Sequence, residues 1–107
     1  MRVVGFDWDD VNREKLEHHD LDPDSVESLF EDGDPLVVEH PAVRKRYIAL
    51  GFVPDGRFVL VVFEHDPETR WVRVVTGYEP ESYRWWKKYA KAKNLRRRRP
   101  GRGREPH

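Results

Sequence analysis

The chain has 107 residues, no cysteine, and 20 basic against 20 acidic side chains, so its formal net charge is zero. That length fits one domain with a single modest core. The absence of cysteine excludes a disulfide framework and a thiolate metal site, and no apolar run approaches the length of a membrane span.

Arg2 to Phe6 reads as a short strand. Asp9 or Asp10 then caps a helix running to about His18, with Val11, Lys15 and Leu16 spaced to share one face. Asp22-Pro23 restarts helix, because aspartate suits an N-cap and proline the first helical position, where an N–H has no partner anyway. Val26, Leu29 and Phe30 form the buried stripe of that second helix, and the run from Glu31 to Pro35 ends it.

Four strands are expected next. Leu36–Glu39 is short, whereas Lys45–Phe52 alternates, with Arg46, Ile48 and Leu50 on one side and Tyr47 and Ala49 on the other. Pro54-Asp55-Gly56 has turn chemistry and pairs that strand with Phe58–Phe63 as a hairpin. Phe58–Phe63 is apolar throughout, as a central strand covered on both faces must be. After the turn His65-Asp66-Pro67-Glu68, Arg70–Thr76 places Trp71, Arg73 and Val75 on one face.

Glu79-Pro80-Glu81 opens a last helix, with acids at its start and lysines towards its end, the order that the helix dipole favours. Tyr83, Trp86 and Ala90 or Tyr89 make one stripe, and Trp85, Tyr89 and Ala92 its neighbour; of the adjacent tryptophans, Trp85 is the one expected to face outwards. The arginine-rich run from Arg96 has no periodicity and reads as a disordered basic tail, so the boundaries are a domain over 1–94 and a tail over 95–107. The order β-α-α-β-β-β-β-α implies an α+β domain with a mostly antiparallel sheet, two N-terminal helices and a C-terminal helix.

The zero net charge conceals an asymmetry. Residues 1–41 carry thirteen acids against Arg2, Arg13 and Lys15, a balance of −10, which leaves +10 for the remainder. Between Arg84 and Arg104 there are eleven basic residues and no acid. Such a half neutralises phosphates, while the acidic half repels them or holds a basic partner.

No Gly-rich phosphate loop, serine nucleophile motif or metal-spaced histidine pair is present; His18 and His19 are adjacent and poorly placed to share an ion on a helix. What remains is cations on strands beside aromatics, which suits metal-free RNA cleavage or RNA binding. Cleavage by the neighbouring 2′-hydroxyl needs a base, an acid for the leaving 5′-oxygen, and cations on the phosphate. Arg73 interrupts an apolar strand and is the first choice as phosphate clamp, with a solvent-facing strand arginine as the ordinary alternative. Arg46 shares a face with it if the strands are neighbours in the right register. Arg57 follows the hairpin glycine, a position that suits a turn arginine or an RNA contact. Trp85 with Lys87, Lys88 and Lys91 either stacks RNA bases between phosphate contacts or belongs to a helix fastened to the sheet by its aromatics. His19 exchanges protons or simply caps its helix. Trp8 fits the core and Asp9 an N-cap.

Phe6-Asp7-Trp8-Asp9, then Asn12, Lys15, Leu16, His19 and Leu21, resembles the opening of the BrnT-type toxins, small ribonucleases of bacterial toxin–antitoxin pairs with a RelE-like fold. The likeness continues through Arg46-Tyr47-Ile48-Ala49-Leu50-Gly51, Asp55-Gly56-Arg57, Val61-Val62-Phe63 and Val72-Arg73-Val74-Val75-Thr76, and covers roughly residues 3–90. It implies a cofactor-free endoribonuclease acting on messenger RNA, with Arg46 and Arg73 on phosphate and His19 or Tyr78 handling protons. A cytoplasmic location is the default for a chain with neither a membrane span nor a signal-peptide pattern. The resemblance also implies a ribbon–helix–helix antitoxin as partner, with operator DNA reached only through that partner and no membrane contact. Two positions depart from the family pattern: Tyr78 stands where an arginine is usual, and Trp85 where a glutamate precedes Tyr89 by four. Glu79 or Glu81 is then the nearest substitute carboxylate. The alternatives are a catalytically lapsed RNA- or protein-binding member and an interaction module whose acidic half docks a basic protein.

The tail supplies a first test. Truncation after Lys93 removes Arg96–Arg99, Arg102 and Arg104. If these cations displace counterions from RNA, the salt dependence of RNA binding becomes shallower while the circular dichroism spectrum is kept. An unchanged slope makes the tail a solubility device.

Overall fold

In the computed structural model, which describes residues 2–95, β4 (Phe58–His65) forms the centre of a five-stranded sheet. It pairs antiparallel with β3 (Arg46–Phe52) on one side and β5 (Trp71–Tyr78) on the other. The edges are β1 (Gly5–Phe6), parallel to β5, and β2 (Leu36–Glu39), antiparallel to β3, giving the order β1-β5-β4-β3-β2. The helices are α1 (Asp10–Glu17), α2 (Pro23–Asp32) and α3 (Tyr83–Ala92). The fold is therefore α+β with a mostly antiparallel sheet, as the element order implies. Among the described residues no helix is long and apolar enough to cross a membrane. Residues 96–107, which hold all but the first position of the expected tail, lie outside the described part.

Alternation along β4 creates two cores. Val59, Val61 and Phe63 pack with Leu16, Leu21, Val26 and Leu29 beneath α1 and α2. Phe58 and Leu60, with Ile48 and Leu50 of β3, meet Trp86, Tyr89 and Ala90 of α3 on the opposite face. Aromatic edges lock the second layer: Phe58 lies 5.3 Å from Trp86 and 5.2 Å from Tyr89, centroid to centroid. The alternation expected for β3 and the two-sided burial expected for β4 both hold. At the hairpin between them Gly56 has φ of +96°, a conformation that disfavours any side chain.

Four local expectations need revision. The last helix does not open at Glu79-Pro80-Glu81: α3 starts at Tyr83, Ser82 is its N-cap, accepting from the Arg84 N–H at 3.3 Å, and its first turn holds no acid. β1 is two residues rather than Arg2–Phe6, because only Gly5 and Phe6 find ladder partners, Trp71 and Val72. On α1 the inward positions are Asn12 and Leu16, while Val11 is 61% exposed. Asn12 takes the inner place because it closes a capping box: its backbone N–H donates to the Asp9 carboxylate at 2.9 Å and its Oδ1 accepts from the Asp9 N–H at 2.8 Å. In β5 the alternation breaks at Val75. Phe63 pairs with Val74 but Val62 with Thr76, so Val75 is an extra residue, a β-bulge. Val75 therefore does not continue the alternation begun by Trp71 and Arg73.

The two helix starts follow their chemistry. Asp22 accepts from the Ser25 N–H at 2.8 Å, with Pro23 at the first position of α2. Leu29, inside that helix, is fully buried. Leu29→Ala should lower unfolding free energy by about 2–5 kcal/mol in urea denaturation, whereas Val11→Ala should stay within about 0.5 kcal/mol of the parent. Comparable losses at both positions would contradict the helix orientation described.

Candidate functional site

The turn after α1 is built as a Schellman closure. The Leu21 N–H returns to the Leu16 carbonyl at 3.0 Å and the Asp20 N–H to the Glu17 carbonyl at 3.0 Å, with Asp20 left-handed at φ 57°. Aspartate tolerates that conformation better than most residues. Leu16 and Leu21, at the two ends of the closure, are both buried in the first core. The turn comes close to β5 because Gly77 carries no side chain: a Cβ there would lie 3.1 Å from Leu16 Cδ2. This approach carries His19 to the end of β5, where its ring lies 5.6 Å from that of Tyr78 at 47°.

A guanidinium completes the cluster. Arg57, at the entry to β4, donates from Nη2 to the Asp20 carbonyl at 2.8 Å, one residue beyond His19. Its Nε meets the Asp55 carboxylate at 2.9 Å, and its Nη1 lies 3.6 Å from Glu79 Oε2, one residue beyond Tyr78. Imidazole, phenol, guanidinium and carboxylate thus gather where β4 begins and β5 ends. His19 and Glu79 are exposed, and Arg57 and Tyr78 half-buried. Such a set can bind an anionic oxygen and move protons on either side of it.

Arg46 and Arg73 lie elsewhere. Register places both across from Glu64, Arg46 on β3 and Arg73 on β5, so they share the face of the sheet that α3 covers. The shared face holds, but not through neighbouring strands as expected: β4 lies between β3 and β5. Arg46 is held by Glu64, with Nη2 to Oε2 at 2.9 Å and Nε to the same oxygen at 3.2 Å. Arg73 reaches Asp9 at 2.7 Å and Asp7 at 3.4 Å, which ties β5 to the N-cap of α1. Arg73 and Tyr78 pair with Glu64 and Leu60, four residues apart on β4, which is about 13 Å of strand at the usual rise. The four residues singled out for catalysis thus divide into His19 with Tyr78 at one end of β5, and Arg46 with Arg73 towards the other.

The carboxylate partners are the part of the site hardest to anticipate from sequence. Glu64 is legible only through register; Glu79 is a candidate carboxylate from the sequence, but its contact with Arg57 is visible only through the approach of the β5 end to the hairpin. Of the aromatic lead-in, Trp8 packs against the first core and donates from Nε1 to Glu27 at 2.7 Å, and Asp9 is the N-cap of α1. On α3, Trp86 is buried and Trp85 half-buried, as expected, while Lys87, Lys88 and Lys91 are exposed or line the helix's outer side. Glu81 is exposed ahead of the helix. Among the described residues no His, Asp or Glu cluster has the geometry to hold a metal ion.

In comparisons with known proteins, no family model and no curated sequence matches the chain.

The Asp9 carboxyl is held below its ordinary range, first by the Asn12 N–H and then by Arg73, whose guanidinium is pushed up chiefly by its hydrogen bond to Asp9. A carboxylate whose folded pKa is depressed stabilises the fold fully above its unfolded pKa and ceases to do so as pH falls through the folded value. The stability of the parent should therefore decline below about pH 4. Asp9→Asn, which keeps a good cap but no charge, should show a shallower decline over about pH 2–5 in urea midpoints. Parallel pH profiles for the two proteins would mean that the Asp9–Arg73 pair contributes nothing.

Proposed function

We propose that this chain is a ribonuclease of the BrnT toxin type, cleaving single-stranded RNA without a metal at the His19–Tyr78–Arg57 cluster. The observation that carries the reading is that the His19 and Tyr78 rings meet while Arg57 binds the residue following each, Asp20 and Glu79, which brings together the turn after α1, the end of β5 and the start of β4. In the reaction, His19 takes the proton from a 2′-hydroxyl, whose oxygen attacks the adjacent phosphorus. Arg57 exchanges its hold on Glu79 for the phosphate oxygens, and Tyr78 protonates the departing 5′-oxygen. The O2′–P bond forms, the P–O5′ bond breaks, and the products end in a cyclic phosphate and a 5′-hydroxyl. Tyr78 occupies the place of the arginine usual in the family, so the phosphate role falls to Arg57. Arg46 and Arg73, bound to Glu64 and to Asp7 and Asp9, act in holding β3, β4, β5 and α1 together. The same resemblance supports a ribbon–helix–helix antitoxin partner through which operator DNA is contacted, and a cytoplasmic setting is proposed as the default for such a chain.

A second reading, a family member that binds RNA without cutting it, is favoured by one specific observation. Each of Arg46, Arg57 and Arg73 already has a carboxylate partner. Incubation of the full chain with single-stranded RNA in excess chelator separates the two. The cleavage reading expects cyclic-phosphate ends, a loss of on the order of a hundredfold or more in kcat for His19→Gln and Arg57→Ala, and near-parent kcat for Arg73→Lys with a lowered Tm. RNA bound but uncut supports the second reading. A hundredfold kcat loss in Arg73→Lys, with Arg57→Ala unaffected, returns the phosphate role to Arg73.

A further inference from the structure

On the α3 side of the sheet a groove of about 930 Å³ runs between α3 and the edge strand β2. Val38 and Pro41 form one wall, Trp85 and Leu95 contribute apolar surface from the helix side, and Lys88 and Lys91 line it as well. The Arg84 guanidinium sits 5.0 Å from the centroid of the Trp85 ring, and Lys87 also lines the groove. Four cations of one helix thus surround an aromatic surface, against the single acid Glu39 from the opposite wall. That pairing of features matches a polyanion that also carries flat apolar faces.

We infer that this groove is a second binding site for single-stranded RNA, in which a base stacks on the Arg84–Trp85 pair while Lys87, Lys88 and Lys91 neutralise the flanking phosphates. The inference rests on RNA being the ligand of the proposed function, and it assigns the part of the strand that lies away from the cut. Placement supports it. Through Leu60 and Leu50, Tyr78 of β5 is level with Leu36 of β2, whereas the groove is lined by Val38, Glu39 and Pro41; three strand spacings and two to five residues of strand separate the two places, about 16–22 Å. Tyr78 and Trp85 both pack against the core beneath α3, so the two places lie on one side of the sheet. An acidic peptide satisfies the lysines but leaves the aromatic platform unused. Stacking is tolerant of base identity, because every base has a π-face, so the groove adds affinity more than sequence preference.

The test uses the full-length protein and a fluorescein-labelled oligouridylate, with anisotropy read in chelator across a salt series. Trp85→Ala should weaken binding about tenfold, the size of a missing base–aromatic stack, and Trp85→Phe should recover most of it. Lys87→Ala with Lys91→Ala should flatten the log–log salt slope by about 0.7 for each phosphate of the single strand that is no longer neutralised. Circular dichroism confirms that each variant folds. Unchanged affinity in folded Trp85→Ala, no binding of the oligouridylate by the parent, or displacement of the RNA from the groove by polyglutamate at equal charge would each overturn the inference. Failure of the two proposals is separable. RNA bound through Trp85 but never cut removes the cleavage reading and keeps the groove, whereas RNA cut with a KM indifferent to Trp85→Ala removes the groove and keeps the cleavage.

Discussion

Burial of β4 between two helical layers requires apolar residues at successive positions on both of its faces. Val59, Val61 and Phe63 meet α1 and α2, and Phe58 and Leu60 meet α3. A strand covered on both faces cannot slip by one residue without exchanging its two cores, so its pairing with β3 and β5 is tightly specified. The ends of the strands are consequently fixed in space, and the polar chemistry of the molecule collects there. His19, Arg57, Tyr78 and Glu79 gather at one end of the β4–β5 pair, and Arg46, Glu64 and Arg73 lie towards the other.

The bulge at Val75 decides which side chains share a face. In an uninterrupted strand, residues five apart point to opposite faces. With one residue added between Arg73 and Tyr78, both fall on the α3 side, Arg73 across from Glu64 and Tyr78 across from Leu60. Arg73 can then be captured by Asp7 and Asp9 at the sheet edge, while Tyr78 comes within reach of the turn after α1. One inserted residue thereby lets a single eight-residue strand present, on the same face, an arginine tied to the N-cap of α1 and a phenol beside the His19 ring.

Much of this organisation is legible in the amino-acid pattern, and the exceptions have identifiable causes. The α2 start is visible because Asp22-Pro23 combines an N-cap with a residue suited only to the first turn, and the faces of β3 because Arg46, Ile48 and Leu50 alternate with Tyr47 and Ala49. The face of α1 is not visible from apolar spacing, since Asn12, a polar residue, occupies the inward place that such spacing assigns to Val11. The signal for it is the Asp9-x-x-Asn12 spacing of a capping box, which outweighs a single valine. The bulge leaves no such mark: Val74, Val75 and Thr76 are all good strand residues, and only pairing with Phe63 and Val62 reveals the extra one. The candidate site is legible as residue types and not as a place. His19 and Tyr78 meet because Gly77 admits Leu16 and because Asp20 closes the helix in a left-handed turn, two facts of packing rather than of motif.

The charge asymmetry of the chain becomes a spatial one through the same layering. The acidic third contributes α1 and α2 to one face of the sheet, with Glu27, Glu31 and Asp32 around a groove beside Phe6 and Phe30. The basic part contributes α3 to the other face, and its lysines stand over β2. A molecule of zero net charge then carries a field directed across its sheet, which turns a polyanion towards α3 and away from α1 and α2. The arginines on β3 and β5 stand under that field with their charge already matched by Glu64, Asp7 and Asp9, so they add little to the attraction. Arg57 differs in one respect. Its firmest polar contact beyond its own turn is a neutral carbonyl, that of Asp20 at 2.8 Å, while the cross-strand carboxylate of Glu79 stands off at 3.6 Å. Asp55 of its own turn holds it as well, at 2.9 Å, so the Glu79 contact is the longest of the three and the one that a competing anion would displace first, which distinguishes Arg57, ahead of β4, from the two arginines within strands.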